Sequence, residues 1–251
     1  MNPASQHSDL ASFLFSLASS LLPLLCLLAR GAFFQDIKAR SLAWKTGGVC
    51  STKVGSRLGN AKKNRYKDVV PYDETRVILS LLQEEGHGDY INANFIRGTD
   101  GSQAYIATQG PLPHTLLDFW RLVWEFGVKV ILMACQETEN GRKKCERYWA
   151  QDQEPLQTGP FCITLVSWGR DGNKVASESR SVHQLQYMSW PDHGVPSNPD
   201  HILTMVEEAH RLRGAGPGPL CVHCRFREQA LWGSGEGEME KGGGQELVST
   251  P

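Results

Sequence analysis

Leu220-Cys221-Val222-His223-Cys224 is the stretch on which the reading of this chain turns. It is a short apolar strand ending in a His-Cys pair, the lead-in to a nucleophilic thiol at the tip of a buried strand. A second apolar run, Lys129 to Cys135 (KVILMAC), has the same character. Strands apolar on both faces require cover on both faces, so the expected fold class is α/β, a twisted mixed sheet flanked by helices.

A thiol that attacks a phosphate monoester needs a loop of inward-pointing backbone N–H groups, glycines to allow that curvature, and an Arg that grips two oxygens. Here Cys224 is followed by Arg225, Phe226, Arg227, Glu228, Gln229 and Ala230, with no glycine before Gly233. Ala230 stands where a Cys-x5-Arg loop would have its Arg, and Glu228 brings negative charge to the place of a dianion. The approach to an active site is therefore present without its phosphate loop.

Outward from this stretch, the chain of 251 residues is 40% hydrophobic and carries a net charge of −1. That balance offers no field for nucleic acid or an anionic membrane surface. The seven cysteines include no paired CxxC motifs, and the Cys221-x2-Cys224 pair stands alone, so neither a metal site nor a cofactor is expected. Scattered thiols suit a reducing compartment.

Leu10 to Ala29 is a nearly uninterrupted apolar run, long enough to cross a bilayer although four serines and Pro23 interrupt it. The cations Arg30, Lys38, Arg40 and Lys45 follow it, so insertion would leave the body of the protein in the cytosol. A buried amphipathic helix or an alternative first exon are the other readings. Residues 1–34 are set apart on this ground. Residues 35–224 form the expected domain, and 225–251 the Gly/Glu-rich, disordered tail.

Between these limits the patterns alternate between strand and helix. Arg76 to Glu85 fits either a helix or a buried strand. Asp89 to Ile96 and Ala104 to Thr108 read as antiparallel strands across a Gly98–Ser102 turn. Thr115 is the expected cap of a helix whose apolar stripe is Leu116, Phe119, Trp120, Val123 and Trp124, ended by Gly127. Lys144 to Trp149, Phe161 to Trp168 and Ser181 to Trp190 are expected strands, the last half-exposed. Asn198 and Pro199 open a helix along Ile202, Met205, Val206, Ala209 and Leu212 that closes at Gly214. Before it, Trp190-Pro191-Asp192-His193-Gly194-Val195-Pro196 is a hinged loop that can present and withdraw an acid.

Taken in order, KNRY (Lys63 to Tyr66), DYINANF (Asp89 to Phe95), ATQGP (Ala107 to Pro111), FWRLVWE (Phe119 to Glu125), KCERYW, WPDHGVP and VHC resemble the protein tyrosine phosphatases of the non-receptor PEST group. The likeness runs from about Asp36 to Cys224. It implies a tyrosine-phosphatase-like fold lacking its C-terminal third, without a cofactor, acting on phosphotyrosine-containing proteins in the cytoplasm or nucleus. It further implies Cys224 as nucleophile, His223 as the group lowering its pKa, and Asp192 as general acid. Tyr66 would stack on the phosphotyrosine ring and Asp68 would hold the substrate main chain.

The departures are as specific as the matches. The phosphate loop and everything after it are foreign to the family, and the link Gly169 to Arg180 is shorter than the family's hairpin. This is the pattern of alternative splicing, intron read-through or a gene-model error. Two expectations follow from it: Cys224 keeps a near-ordinary thiol pKa, and one sheet face is left partly bare.

Overall fold

The structure is a computed structural model and describes residues 51–98, 100–139, 141–152, 154–165, 178–188, 199–224 and 244–250. The chain opens on a helical turn, α1 (Leu58–Ala61), and then enters β1 (Arg76–Ile78), β2 (Tyr90–Ile96) and β3 (Tyr105–Gln109). Helix α2 (Leu116–Glu125) leads to β4 (Val130–Met133), followed by a small hairpin of β5 (Thr138–Glu139) and β6 (Arg142–Lys143). Next come β7 (Leu156–Thr158), β8 (Phe161–Leu165), β9 (Arg180–Gln186), α3 (Pro199–Arg213), β10 (Leu220–Cys224) and β11 (Gly244–Thr250).

Nine of these strands form one mixed sheet in the order β1-β2-β3-β10-β4-β9-β11-β8-β7. Its centre is parallel: β10 runs between β3 and β4, and β9 joins β4 on the far side. All four residues of β4 are buried. This is the both-faces burial expected of KVILMAC, and the fold is the α/β mixed sheet that the apolar strands predict.

Helix α2 covers one face. Phe119, Trp120, Leu122 and Val123 pack with Ile106, Ile131, Met133 and Cys221 in the main core. The apolar stripe read from the sequence is too narrow, because Asp118 and Arg121 are buried as well. The chain from Lys63 and the turn around Leu81 close over the helix's other side. Lys63 and Arg121 each place a cation 2.8 Å from an Asp118 oxygen, and Arg121 donates to the carbonyls of Leu81 and Gly88 at 2.7 and 2.9 Å.

On the opposite face α3 packs Ala209 against Tyr105, Val130, Leu132 and Leu220, with Met205, Leu212, Leu185 and Val222 at the margin. This face is not bare: Val130 and Leu220 are fully buried, and Leu58, Ile78 and Met188 are the exposed large apolar side chains among the described residues. The expectation of a partly bare face narrows to a margin of partly buried residues around one helix.

Several local expectations change for identifiable reasons. Arg76 to Glu85 resolves into the edge strand β1 and a 3-10 turn, with Val77 and Leu79 buried and Ile78 exposed, the period of a strand. Thr115 holds the N-cap position of α2 as expected but makes no side-chain capping bond; its hydroxyl accepts from Leu112 N at 2.8 Å within the preceding 3-10 turn Pro113–Thr115. Gly127 ends the helix in a left-handed conformation, φ +61°.

Lys144 to Trp149 is irregular rather than a strand. Its backbone groups go singly to different loops, Glu146 N to Pro111 O at 2.8 Å and Trp120 Nε1 to Tyr148 O at 3.0 Å, so no ladder forms. Strand β9 lies inside the sheet and is half-exposed as expected, with Val182 and Gln184 buried on the α2 side and Ser181 exposed on the other.

Of the expected disordered tail, residues 225–243 lie outside the described residues, and Gly244–Thr250 is a strand between β9 and β8. Among the described residues no helix is long and apolar enough to cross a membrane. Leu10 to Ala29 and the Asn198 cap lie outside them.

Candidate active site

The parallel strands β3, β10, β4 and β9 end on one side, and in such sheets ligands bind outside the carboxyl ends. Cys224 ends β10 in register with Gln109 of β3. Gly110 N bonds back to Cys224 O at 3.4 Å and Ala134 N to His223 O at 2.9 Å, so the His-Cys pair is fixed from both flanks.

Successive strand residues point to opposite faces, and this separates the pair. His223 enters the α2-side core, where its Nε2 lies 2.8 Å from Tyr148 Oη. Tyr148 Oη in turn accepts from Gln184 Nε2 at 3.0 Å. Burial holds the Tyr148 phenol well above its usual pKa, so it stays protonated and donates to His223 Nε2.

Three thiols gather at the strand ends. Cys135, just after β4, is pulled below the ordinary thiol range, chiefly by a hydrogen bond from Cys145 and further by the nearby His223. Cys145 moves the opposite way, held protonated by that bond and by burial. Cys224 is pushed up to about 12 by burial and then by the charge of Cys135. The near-ordinary pKa expected for Cys224 is thus corrected upward.

Lys63 to Tyr66 forms the rim. Arg65 donates from Nη2 to Gly110 O at 2.8 Å and to Pro111 O at 3.0 Å, and its backbone N–H donates to Gln109 Oε1 at 2.9 Å. These bonds tie the segment to the end of β3. Tyr66 is half-buried. Lys144 Nζ lies 3.3 Å from its hydroxyl and 5.9 Å from its ring centroid. Asp68 is exposed two residues on. Asp192, Glu228 and Ala230 lie outside the described residues.

Of the residues singled out from the sequence, the structure therefore gathers His223, Cys224 and the Tyr66 segment around the ends of β10 and β3. Tyr148, Gln184, Cys135, Arg65 and Lys144 were not singled out. Arg65 and Tyr148 do lie inside quoted motifs, but their partners are distant in sequence, so no local spacing could have marked them. Among the described residues no group of three or more His, Cys, Asp or Glu could hold a metal ion.

The family model for protein-tyrosine phosphatase matches residues 60–226. The chain belongs to the protein-tyrosine phosphatase family. It is similar to tyrosine-protein phosphatase non-receptor type 18 of Mus musculus, 74% identical over 230 residues that are 88% of this chain and 50% of that protein. The human type 18 protein is 74% identical over 200 residues, 76% of this chain and 44% of the relative. This chain therefore spans about half the length of these relatives.

Among solved structures, the catalytic domain of human type 18 superposes with a TM-score of 0.72 at 69% identity, covering 86% of this chain and 77% of that one. A complex of PTPN18 with HER2 phosphopeptides superposes at 0.70 and 73% identity, covering 76% of this chain and 75% of that one. The phosphatase match contains all five residues singled out from the sequence, Tyr66, Asp68, Asp192, His223 and Cys224.

Proposed function

We propose that this chain is a phosphotyrosine-recognising phosphatase scaffold whose own hydrolytic chemistry is impaired. In this reading Cys224 holds the nucleophile position of a cysteinyl-phosphate route, Asp192 the general acid and His223 the group that tunes the thiol. Tyr66 and Asp68 contact the substrate's ring and main chain. The partners are phosphotyrosine-containing proteins, the class present in the HER2 phosphopeptide complex of the type 18 relative. The working unit is residues 35–224, in the cytoplasm, as suits relatives named non-receptor phosphatases.

The observation that carries impairment is the sequence after Cys224, and the upward shift of its thiol supports it. A phosphoryl acceptor at sulfur must be a thiolate, and burial pushes Cys224 up to about 12. The neighbours that would lower it, a backbone nest and an Arg, are replaced in the sequence by Arg225 to Ala230. Without them most of the electrostatic stabilisation of the transferring phosphoryl group is lost. The alternative from another class is a non-catalytic or unstable fragment that at most binds partners, and the same thiol state favours it over a working enzyme.

The test is hydrolysis of a phosphotyrosyl peptide and of a small aryl phosphate by the purified chain, measured against Cys224→Ser. Equal, background rates are expected. Turnover that depends on Cys224 would overturn the reading. Binding of the phosphotyrosyl peptide, but not its unphosphorylated form, separates a recognition scaffold from a fragment without function.

A further inference from the structure

Strand β8 bonds to β7 on one side and β9 bonds to β4 on one side. Their other edges both pair with β11, which runs antiparallel to each. β11 is therefore the bridge that makes one sheet of two parts, and without it two edges of unsatisfied N–H and C=O groups would face each other across one strand's width.

The register shows what this place selects. Leu247 stands opposite Leu165 and Val182, of which Val182 is buried in the main core and Leu165 packs against it. Val248 stands opposite Thr164 and Ser181, both exposed. A slip of one residue would set Glu246 or Val248, in place of Leu247, at the register of Leu165 and Val182. From Gly233 to Pro251 the aliphatic residues are Met239, Leu247 and Val248, so Gly244–Thr250 is the part of this stretch with an aliphatic pair to lay into a sheet. The strand is joined to β10 only through residues 225–243, a tether extending to roughly 60 Å at about 3.3 Å per residue.

We infer that the gap between β8 and β9 is a strand-acceptor site for an extended peptide with an aliphatic residue at the Leu247 register, and that Gly244–Thr250 is its tethered, exchangeable occupant. Main-chain bonds to both walls supply affinity, and the aliphatic walls of Leu165 and Val182 at the Leu247 register supply selectivity. The tether keeps the chain's own strand at high local concentration, so the site is filled in cis. Occupancy also firms β9, which pairs with β4 beside the Cys224 strand and carries the chain on towards Asp192. The inference is independent of whether the thiol is catalytically competent.

Two experiments decide it. In the full chain, Ser181→Cys with Val248→Cys places thiols at directly opposed positions of the β9–β11 ladder. Mild oxidation should give an intrachain disulfide in the monomer that neither single variant forms. An interchain product, or none, overturns cis occupancy.

In the full chain carrying Leu247→Pro, amide exchange of β8 and β9 should lose its protection while β3 and β10 keep theirs. A synthetic peptide of residues 243–251 added in excess should restore it, and the same peptide with Asp at the Leu247 position should not. Retained protection in Leu247→Pro, rescue by neither peptide, or rescue by both would each sink the acceptor site. The cross-link stands as the test even where the Leu247→Pro chain fails to fold.

Discussion

The hydroxyl of Tyr148 lies 2.8 Å from Nε2 of His223 in a core where both residues are essentially unexposed. The residue before the terminal Cys of β10 is therefore anchored from beneath by the irregular 144–149 segment. A phenol that also accepts from Gln184 couples three elements that are far apart in sequence: β9, β10 and the loop after β6.

Tyr148→Phe removes the hydroxyl and keeps the ring. It leaves His223 Nε2 and Gln184 Nε2 buried without this partner, and each such loss costs about 1–3 kcal/mol. The expected result is a chain destabilised by about 2 kcal/mol or more in urea denaturation. An unchanged midpoint would show that the two nitrogens find other partners.

The thiols dictate how stability responds to pH. Cys221 and Cys224 are both pushed up to about 12 by burial, so the folded state holds their protons more tightly than the unfolded chain does. Stability from this source is complete below the ordinary thiol pKa and is lost as pH rises from there towards 12. The slope is about 1.4 kcal/mol per thiol per pH unit at most within that window. Urea denaturation should show the contribution of these two thiols flat below about pH 8 and falling by pH 10. Replacing both thiols by Ala should flatten the fall, and an unchanged fall would place it on other groups.

Alkylation reads the same thiol directly. Cys224 should react slowly with iodoacetamide at neutral pH, its rate still climbing past pH 10, above the midpoint of about 8.5 of a model thiol. A midpoint well below the model value would mean a stabilised thiolate, and would restore the case for catalysis.

Gly218 tests the entry to β10. A Cβ built there would lie 2.1 Å from the carbonyl oxygen of Gly127, the residue that ends α2. The obstruction is backbone, so it cannot rotate away, and Gly218→Ala should cost about 1–3 kcal/mol through forced backbone shifts. Thermal midpoints of Gly218→Ala and of Gly214→Ala compare this steric cost with conformational cost alone, because Gly214 has φ +63° and open space around it. Equal losses would contradict the steric account.

Arg121 is fully buried, and its cation meets Asp118, Leu81 O and Gly88 O. Arg121→Ala should cost about 3–5 kcal/mol, as breaking a buried pair does. Arg121→Met, which keeps most of the volume, should recover part of this. A loss under about 1 kcal/mol on denaturant titration would mean that Lys63 alone satisfies Asp118.

The sequence by itself determined the class of the sheet and the place of its centre. Runs such as VILM and LCV are apolar at every position, and only strands buried on both faces tolerate that. The stripe of α2 and the stop at Gly127 were legible for the same reason: periodicity and φ preference are local properties. The place of Cys224 at the end of β10 was legible too, because the apolar run that leads to it is a local property of consecutive residues.

Only the tertiary structure decided which groups meet. That α2 buries a charged pair depends on Lys63 and the Leu81 carbonyl arriving from other elements, which no helical period encodes. Lys144 to Trp149 has the apolar spacing of a strand, but its hydrogen-bond partners are scattered loops, so the spacing served burial and not pairing. Gly244–Thr250 is too polar to order itself, yet two open edges satisfy its backbone on both sides at once. The pKa of Cys224 likewise followed from burial and the charge of Cys135, a residue 89 positions earlier in the chain. Long-range contact, rather than residue type, set each of these outcomes.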